Sequence, residues 1–478
     1  AHRMAEKLRH RGPDSWGEWV GEHAVFAHSR LAVIDVENGL QPMKRTVEGH
    51  EFVITYNGEL YNTNDIRDDL KSHGYEFTTT SDTEVLLYAY IHYGEKCAEM
   101  LNGIYAFVIW DSMRQRIFAC RDRFGVKPFF YTQKNDVTVF ASELKSLFEY
   151  PDVSAVLDKT GLCELFALSP ARTQGVGVFK DVRELRPARY MIINRHGMTI
   201  KKYWSLVSGE HKDSYEETIE KVRSLVYDSV KRQLISDVPI ATFLSGGLDS
   251  SIITAIGAME MKKKGERIST YSFDYEDNNK YFKASHFQPD SDTKWVPRMV
   301  EAFNTNHTYL VCPNNVLTEL LEEALLAKDL PGMADVDASL LYFCREVKKN
   351  HTVVLSGECS DEIFGGYPWF REKKAFESDK SDVYGKWYYE VTSDSPWNYA
   401  LPARSFSPDR IKDAFTVEKS DITTPYPWNV ENAPIRIKTK AMRLNGWTQV
   451  RGSAGPVPYY TQQGKDFGDE ETIELIPY

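Results

Sequence analysis

Between an apolar strand and an amphipathic helix the chain places Leu244-Ser245-Gly246-Gly247-Leu248-Asp249-Ser250-Ser251, and this junction limits the possible folds more than any other feature. Paired glycines let the backbone approach a ligand closely and serine hydroxyls donate. A helix start adds unpaired N–H groups and the positive end of its dipole. The loop reads as a cradle for nucleotide phosphate. It lacks the lysine of the GxxxxGK(S/T) loop, which disfavours direct γ-phosphate transfer. Asp249 is placed to hold Mg²⁺, a hard cation that takes carboxylate and phosphate oxygens. The competing reading is a glycine-rich turn with Ser250 as an ordinary helix N-cap.

The flanking rhythm says which sheet carries this loop. Helical spacing over Tyr215 to Gln233 precedes a strand at Pro239 to Leu244. Ser250 to Lys264 is helical, Ile268 to Tyr275 a strand, Ser339 to Lys349 helical and Val353 to Leu355 a strand. Such alternation predicts a parallel sheet wound on both faces, with ligands at the carboxyl ends of its strands. A second loop follows the last of these strands: Ser356-Gly357-Glu358-Cys359-Ser360-Asp361-Glu362-Ile363-Phe364-Gly365-Gly366-Tyr367. Its alternative is a capped helix start with acids at the favourable end.

The stretch up to about Leu206 has a different texture. Short runs at Ala24 to His28, Phe52 to Tyr56, Ala106 to Trp110, Arg116 to Cys120, Val137 to Phe140 and Tyr190 to Asn194 predict strands. Asp65 to Ser72 and Thr83 to Tyr93 predict covering helices, an α+β domain. A polar link, Ser208 to Ser214, separates it from the α/β part. Beyond about Glu372 the sequence turns to Trp, Tyr and Pro, as in Ser395-Pro396-Trp397-Asn398-Tyr399, which predicts a small all-β module.

With 58 Lys and Arg against 69 Asp and Glu, the net charge of -11 argues against sequence-independent nucleic-acid binding. No apolar run reaches the roughly 20 residues that span a bilayer. Small-molecule partners are expected, with neither nucleic acid nor membrane. The six Cys, at 97, 120, 163, 312, 344 and 359, form no CxxC pair and read as free, buried thiols of a reducing compartment, hence a cytoplasmic protein. The start, Ala1-His2-Arg3-Met4, carries neither an initiator Met nor a signal-like apolar core and reads as the middle of an element.

The SGGLDSS loop followed by SGECSDEIFGGYPWF resembles the synthetase domain of glutamine-hydrolysing asparagine synthetases, a PP-loop ATP pyrophosphatase fold. His10-Arg11-Gly12-Pro13-Asp14, Arg30 to Asp35, Tyr56 to Asn62, Ser81-Asp82-Thr83-Glu84 and Arg121 to Pro128 are similar, in order, to the family's class II glutaminase domain of N-terminal nucleophile type, an αββα layer sandwich. The resemblance runs to about residue 370. It implies a glutaminase domain at 1–206, a PP-loop domain at 207–371 and a tail module at 372–478. It also implies that ATP and aspartate form β-aspartyl-AMP, which ammonia from glutamine then displaces.

By the same resemblance, Leu244, Tyr275, Ser356 and Gly357 line the ATP site, and the residues from Ser245 through Gly246, Gly247, Leu248, Asp249 and Ser250 to Ser251 hold phosphate. Asp249 and Asp361 are the metal candidates, and Glu358 is the acid of the adenylate step. Glutamine falls to Arg30, Leu31, Ala32, Val33, Ile34, Asn57, Gly58, Glu59 and Asp82. Arg30 would fork onto the α-carboxylate, Asp82 would receive the ammonium, and Asn57 with Gly58 would form an oxyanion hole. Without the resemblance, Asn57-Gly58 reads as a hairpin turn and Arg30 as a surface charge. The family further implies a homodimer.

The family nucleophile is an amino-terminal Cys whose own amine is the base. None of the six Cys is terminal, so the chain as written is expected to bind glutamine poorly and hydrolyse none. The first strand of the family's sheet is missing as well, which would expose an edge. Beyond Phe370 the family's helical continuation and a further basic phosphate ligand are not found. Segments such as Trp387 to Val391 and Tyr426 to Pro434 are instead reminiscent of the terminal β-domain of β-L-arabinofuranosidase-type glycoside hydrolases, joined between about Arg371 and Asp382. Two alternatives stay open: a β-lactam-forming or other carboxylate-adenylating synthetase, and an inactive ATP- or glutamine-binding scaffold with a β interaction module.

Overall fold

The computed structural model describes residues 1–168, 170–207, 209–282 and 294–367, with five strands beyond them. Contacts divide the chain into two compact units, Ala1–Pro151 with Glu184–Gly357, and Asp152–Arg183 with Glu358–Tyr478. This division differs from the one drawn along the sequence, because residues 152–183 leave the first unit and rejoin it at Glu184.

The first unit opens with β1 (Ser15–Val20), β2 (Val25–Arg30), β3 (Met43–Val47), β4 (His50–Leu60), β5 (Gly103–Asp111), β6 (Arg116–Arg121), β7 (Phe130–Lys134) and β8 (Val137–Ala141). After β9 (Val182–Glu184) come β10 (Arg189–Asn194) and β11 (Gly197–Lys202). An antiparallel sheet runs in the order β11-β10-β6-β5-β4-β3. Its centre is apolar on both faces, and the period of two sorts the residues. Phe52, Ile54, Tyr56, Tyr105, Phe107, Ile109 and Phe118 face the helices Thr63–Ser72 and Asp82–Tyr93, burying Ile66, Leu70, Leu86 and Leu87. Val53, Ala106, Val108, Trp110 and Ala119 face the opposite way, onto Phe26, Phe129 and Tyr131. Short helices at His2–Glu6 and Leu144–Leu147 cover β2 and the β7–β8 hairpin. The result is the expected layering of helix, sheet, sheet and helix.

A capping box at Ser214, with Glu217 closing it, starts the helix Tyr215–Gln233. It leads to β12 (Ile240–Phe243), β13 (Ser269–Tyr275), β14 (Asn306–Cys312) and β15 (Val353–Leu355), a parallel sheet in the order β14-β13-β12-β15. Leu234, Ala258, Met261 and Ile268 pack on one face. Ala241, Tyr271 and Val347 pack on the other, so helices cover both. The sequence reading omits β14. Its residues are mostly exposed, as suits an edge strand, and its apolar run is confined to Tyr309 to Cys312.

In the second unit, five strands fall in the region where an all-β tail is expected. Phe415–Lys419, Ile435–Thr439 and Glu471–Glu474 pair antiparallel, as do Trp447–Val450 and Tyr459–Gln462. The Trp- and Tyr-rich segments at 387–391, 395–399 and 426–434, and the join at 371–382, lie outside the described residues. All six Cys are free, but Cys344 and Cys359 are exposed rather than buried. Cys344 sits on the outer side of the helix Ala334–Lys348, whose buried residues include Phe343 and Val347. Among the described residues no helix is long and apolar enough to cross a membrane.

Candidate functional site

Sheet order locates a candidate ligand site. From β12 the chain steps outward through β13 to β14, then returns to place β15 on the other side of β12. The crevice at such a reversal, beyond the carboxyl ends of the strands, is where open α/β sheets bind ligands. Two loops leave it, one after β12 beginning at Leu244 and one after β15 beginning at Ser356. They lie side by side: a Cβ added to Gly357 would stand 2.9 Å from the Asp249 Cβ and 3.2 Å from the Ser250 nitrogen. Any larger residue at 357 would push the loops apart.

The first loop is held from within. Leu244 is fully buried, its N–H donating to the Tyr271 carbonyl at 2.8 Å while its own carbonyl accepts the Ser272 hydroxyl. Gly246 takes φ of +92°, a conformation that L side chains rarely adopt. The Ser245 and Ser250 hydroxyls stand 3.0 Å apart, and Ser250 Oγ donates to the Gly247 carbonyl at 3.2 Å. Gly247, not Ser250, is therefore the N-cap of the helix Leu248–Lys263. Asp249 falls in the first helical turn, and Ser251 directs its N–H to the Gly247 carbonyl. Tyr275 ends β13 half-exposed and donates to Ser339 Oγ at 2.9 Å.

Glu358 and Asp361 belong to the second unit. Glu358 follows Gly357 directly, and Asp361 lies in the helix Ser360–Phe364, its carbonyl accepting the Gly366 N–H at 3.0 Å. Among the described residues no group of three or more His, Cys, Asp or Glu could hold a metal ion. Mg²⁺ is bound through one or two carboxylates together with substrate phosphates, and a single carboxylate such as Asp249 in the first helical turn fits that mode.

Beside the antiparallel sheet lies a cavity of about 850 Å³. Arg30, Leu31, Val33, Ile34, Asn57, Gly58, Glu59 and Asp82 line it, while Ala32 does not. The Ala32 N–H is instead fixed at 2.8 Å by the carboxylate of Asp14. Asn57 and Gly58 are not a turn: they sit inside β4, paired with Ala106 and Tyr105 of β5. Glycine is required there because a Cβ would meet the Ile104 carbonyl oxygen at 2.2 Å. Asn57 Nδ2 is buried and has no hydrogen-bond partner, so a donor remains for a bound oxygen.

Arg30 is buried rather than a surface charge, and it donates to the carbonyls of Ile34, Asp35 and Val36 at 3.1, 2.7 and 2.8 Å. Asp82 opens the helix Asp82–Tyr93 and accepts the Tyr56 hydroxyl at 2.9 Å and the Leu60 N–H at 3.1 Å. Burial pushes its carboxyl up against the pull of those donors. Burial likewise raises Glu59 to about 7, with Lys127 opposing and Asp82 reinforcing the shift. Burial lowers the Lys127 ammonium, Glu59 acting the other way.

Lys127 is one of several lining residues, with Arg11, Tyr56, Ser81, Thr83 and Pro128, that lie in the motifs given above without an assigned role. Asp122 builds its loop by accepting the N–H groups of Phe124, Val126 and Lys127, each at 3.0 Å. Arg121 donates to the carbonyls of Gly125 and Lys127 from the other side. The signal available in the sequence was the short-range pattern of Arg, Asp and Gly around Lys127.

With this geometry in place, comparison adds ancestry. A model for the glutamine amidotransferase domain matches residues 1–204 and one for asparagine synthase matches residues 221–437. Asparagine synthetase (glutamine-hydrolyzing) 3 of Bacillus subtilis is 54% identical over 369 residues, spanning 77% of this chain and 60% of that protein. A putative asparagine synthetase (glutamine-hydrolyzing) 2 of Methanocaldococcus jannaschii is 31% identical over 388 residues, 77% of this chain and 72% of that one. Among solved structures, the glutamine phosphoribosylpyrophosphate amidotransferase from B. subtilis has a TM-score of 0.35 at 17% identity, covering 77% of this chain and 94% of that one. The match thus takes in 60% of the length of the Bacillus synthetase.

Proposed function

Because the chain belongs to the family of glutamine-hydrolysing asparagine synthetases, we propose that it converts aspartate to asparagine at the expense of ATP, with nitrogen from glutamine or ammonia. The observation that carries this reading is the pair of glycine-containing loops at the reversal point of the parallel sheet, with Gly357 seated against Asp249. Neither a β-lactam-forming synthetase nor an inactive scaffold is favoured by the family matches.

In this proposal ATP lies with its phosphates over Ser245–Ser251 and its remaining contacts on Leu244, Tyr275, Ser356 and Gly357. One β-carboxylate oxygen of aspartate attacks the α-phosphorus, and the bond to pyrophosphate breaks. Backbone N–H groups at the helix start and the serine hydroxyls take up the charge that develops on the leaving group. Mg²⁺ would be held by Asp249, with Asp361 as the second candidate, and supplies charge neutralisation at pyrophosphate when bound. Ammonia then attacks the activated carbonyl and AMP departs with one former carboxylate oxygen. Glu358 serves the adenylate step and, once the adenylate has formed, also accepts the proton that the nitrogen sheds.

Glutamine would occupy the cavity under β4, its α-carboxylate on Arg30, its ammonium on Asp82 and Glu59, and its amide oxygen toward Asn57 and Gly58. The unpartnered Asn57 Nδ2 supports that placement. The same proposal divides the chain at 206 and 371 into glutaminase, synthetase and tail portions, and includes a homodimer in the cytoplasm. Aspartate-dependent exchange of labelled pyrophosphate into ATP tests the adenylation. Exchange is expected in the parent chain and lost in Glu358→Gln; aspartate-independent exchange, or none, would reject the reading.

A further inference from the structure

One edge of β4 pairs with β5 from Phe52 to Leu60, whereas β3 covers the other edge only as far as Ile54, opposite Met43. Beyond Ile54 the backbone groups of every second residue, Tyr56, Gly58 and Leu60, turn to the uncovered edge. In the register that sets Met43 against Ile54, position 41 falls opposite Tyr56, but β3 begins only at Met43. The side chain of Gln41 takes the place of the absent strand. Its Oε1 accepts the Tyr56 N–H at 2.6 Å, and its Nε2 donates to the Tyr56 carbonyl at 2.9 Å. These are the two bonds that a hydrogen-bonded strand residue would exchange. Nε2 also lies 3.5 Å from Thr83 Oγ1.

Leu60 is served by a side chain as well, its N–H donating to the Asp82 carboxylate at 3.1 Å. Gly58 lies between the two. Tyr105, its partner on β5, gives its N–H to the Asp122 carboxylate at 3.2 Å, and the Tyr105 carbonyl accepts the Asp122 N–H at 2.8 Å. Both bonds lead away from β4. The Gly58 N–H therefore faces the open edge and meets no acceptor among the described residues. Gln41, Asn57, Gly58 and Asp82 all line the same cavity, and Asn57 Nδ2 is unpartnered there too.

We propose that Gln41 is a positioning residue for amide recognition: its side chain stands in for a strand beside Tyr56 and, with Asp82 at Leu60, leaves the Gly58 N–H as the edge donor for the amide oxygen of the ligand. The inference rests on the proposed placement of glutamine. The Tyr56 carbonyl belongs to the peptide that leads into Asn57, so the bond from Gln41 fixes the plane from which Asn57 and Gly58 follow. Without it two buried backbone groups lose their partners, and that peptide turns to find others.

Calorimetric titration with glutamine and with L-norvaline, which keeps the α-amino and α-carboxylate groups but lacks the amide, tests the proposal. The parent is expected to prefer glutamine by at least about tenfold. Gln41→Met keeps the length of the side chain and removes both bonds. Its norvaline affinity is expected to match that of the parent while the preference for glutamine falls by about tenfold. A full preference in Gln41→Met overturns the inference, and so does equal weakening of both ligands, which would make Gln41 a general support. Hydrogen exchange resolved to single amides tests the unaltered chain, whatever the variant's stability. Tyr56 and Leu60 are expected to exchange at least about tenfold more slowly than Gly58 until glutamine protects Gly58. A Gly58 amide as slow as its neighbours without ligand overturns the inference. No preference for glutamine in the parent strikes the proposed function instead.

Discussion

The antiparallel and parallel sheets of the first unit solve the placing of a ligand in opposite ways. Around the antiparallel sheet, a cluster that includes Phe52, Leu87, Tyr90, Phe107 and Phe118 is closed to solvent, and the cavity proposed for glutamine is cut beside it from groups already engaged with one another. On the parallel sheet the buried clusters are small, four residues on one face and three on the other among those described. The phosphate loop stands at its rim, with Ser245 and Leu248 exposed. The first site borrows precision from a deep core, whereas the second takes it from backbone conformation. Replacements in the two regions should therefore fail differently.

The largest expected effect is in the deep core. Leu87→Ala removes a fully buried side chain and is expected to lower stability by about 2–5 kcal/mol in urea unfolding. A loss under about 1 kcal/mol would mean that this core is looser than its burial implies. Gly58→Ala forces a methyl group onto the Ile104 carbonyl and should cost about 1–3 kcal/mol. In calorimetry it is expected to lose glutamine binding while retaining ATP.

Gly357→Ala should invert that pattern, because its Cβ presses on Asp249 and Ser250. Weakening of ATP by about tenfold, or 1.4 kcal/mol, is expected, with glutamine binding unchanged. If both substitutions weaken both ligands alike, the contrast between the sites is wrong. A smaller effect concerns protons. The Glu59 carboxyl is raised from 4.5 to about 7 in the fold, so its contribution to stability is present below 4.5 and lost as pH climbs through 7. Measured against Glu59→Gln, the parent is expected to lose stability across that interval. A constant difference between the two would place Glu59 in water.

Much of this contrast was legible along the chain. The run from Ala106 to Trp110 announces a strand, and the glycine loop between strand and helix announces a ligand site at the carboxyl end of a parallel strand. Asn57-Gly58 misleads by local rules, since the pair that favours a tight turn lies here inside β4, where β5 leaves no room for a Cβ at Gly58. What sequence could not show is long-range hydrogen bonding by short carboxylates. Asp14 reaches Ala32 and Asp35 reaches Thr80, while Asp237 meets Asp35 across a separation of 202 positions. The competing reading of Ser250 as a helix N-cap fails on local contacts: its hydroxyl is spent on Ser245 and Gly247, inside a helix that already begins at Leu248.

The central claim is that a carboxylate of aspartate attacks the innermost phosphorus of ATP, and the fate of its oxygen reports this most directly. With aspartate carrying ¹⁸O in its side-chain carboxylate, ATP, Mg²⁺ and ammonium, mass spectrometry of the nucleotide product is expected to find AMP bearing one heavy oxygen. Unlabelled AMP, or ADP in its place, would contradict the account.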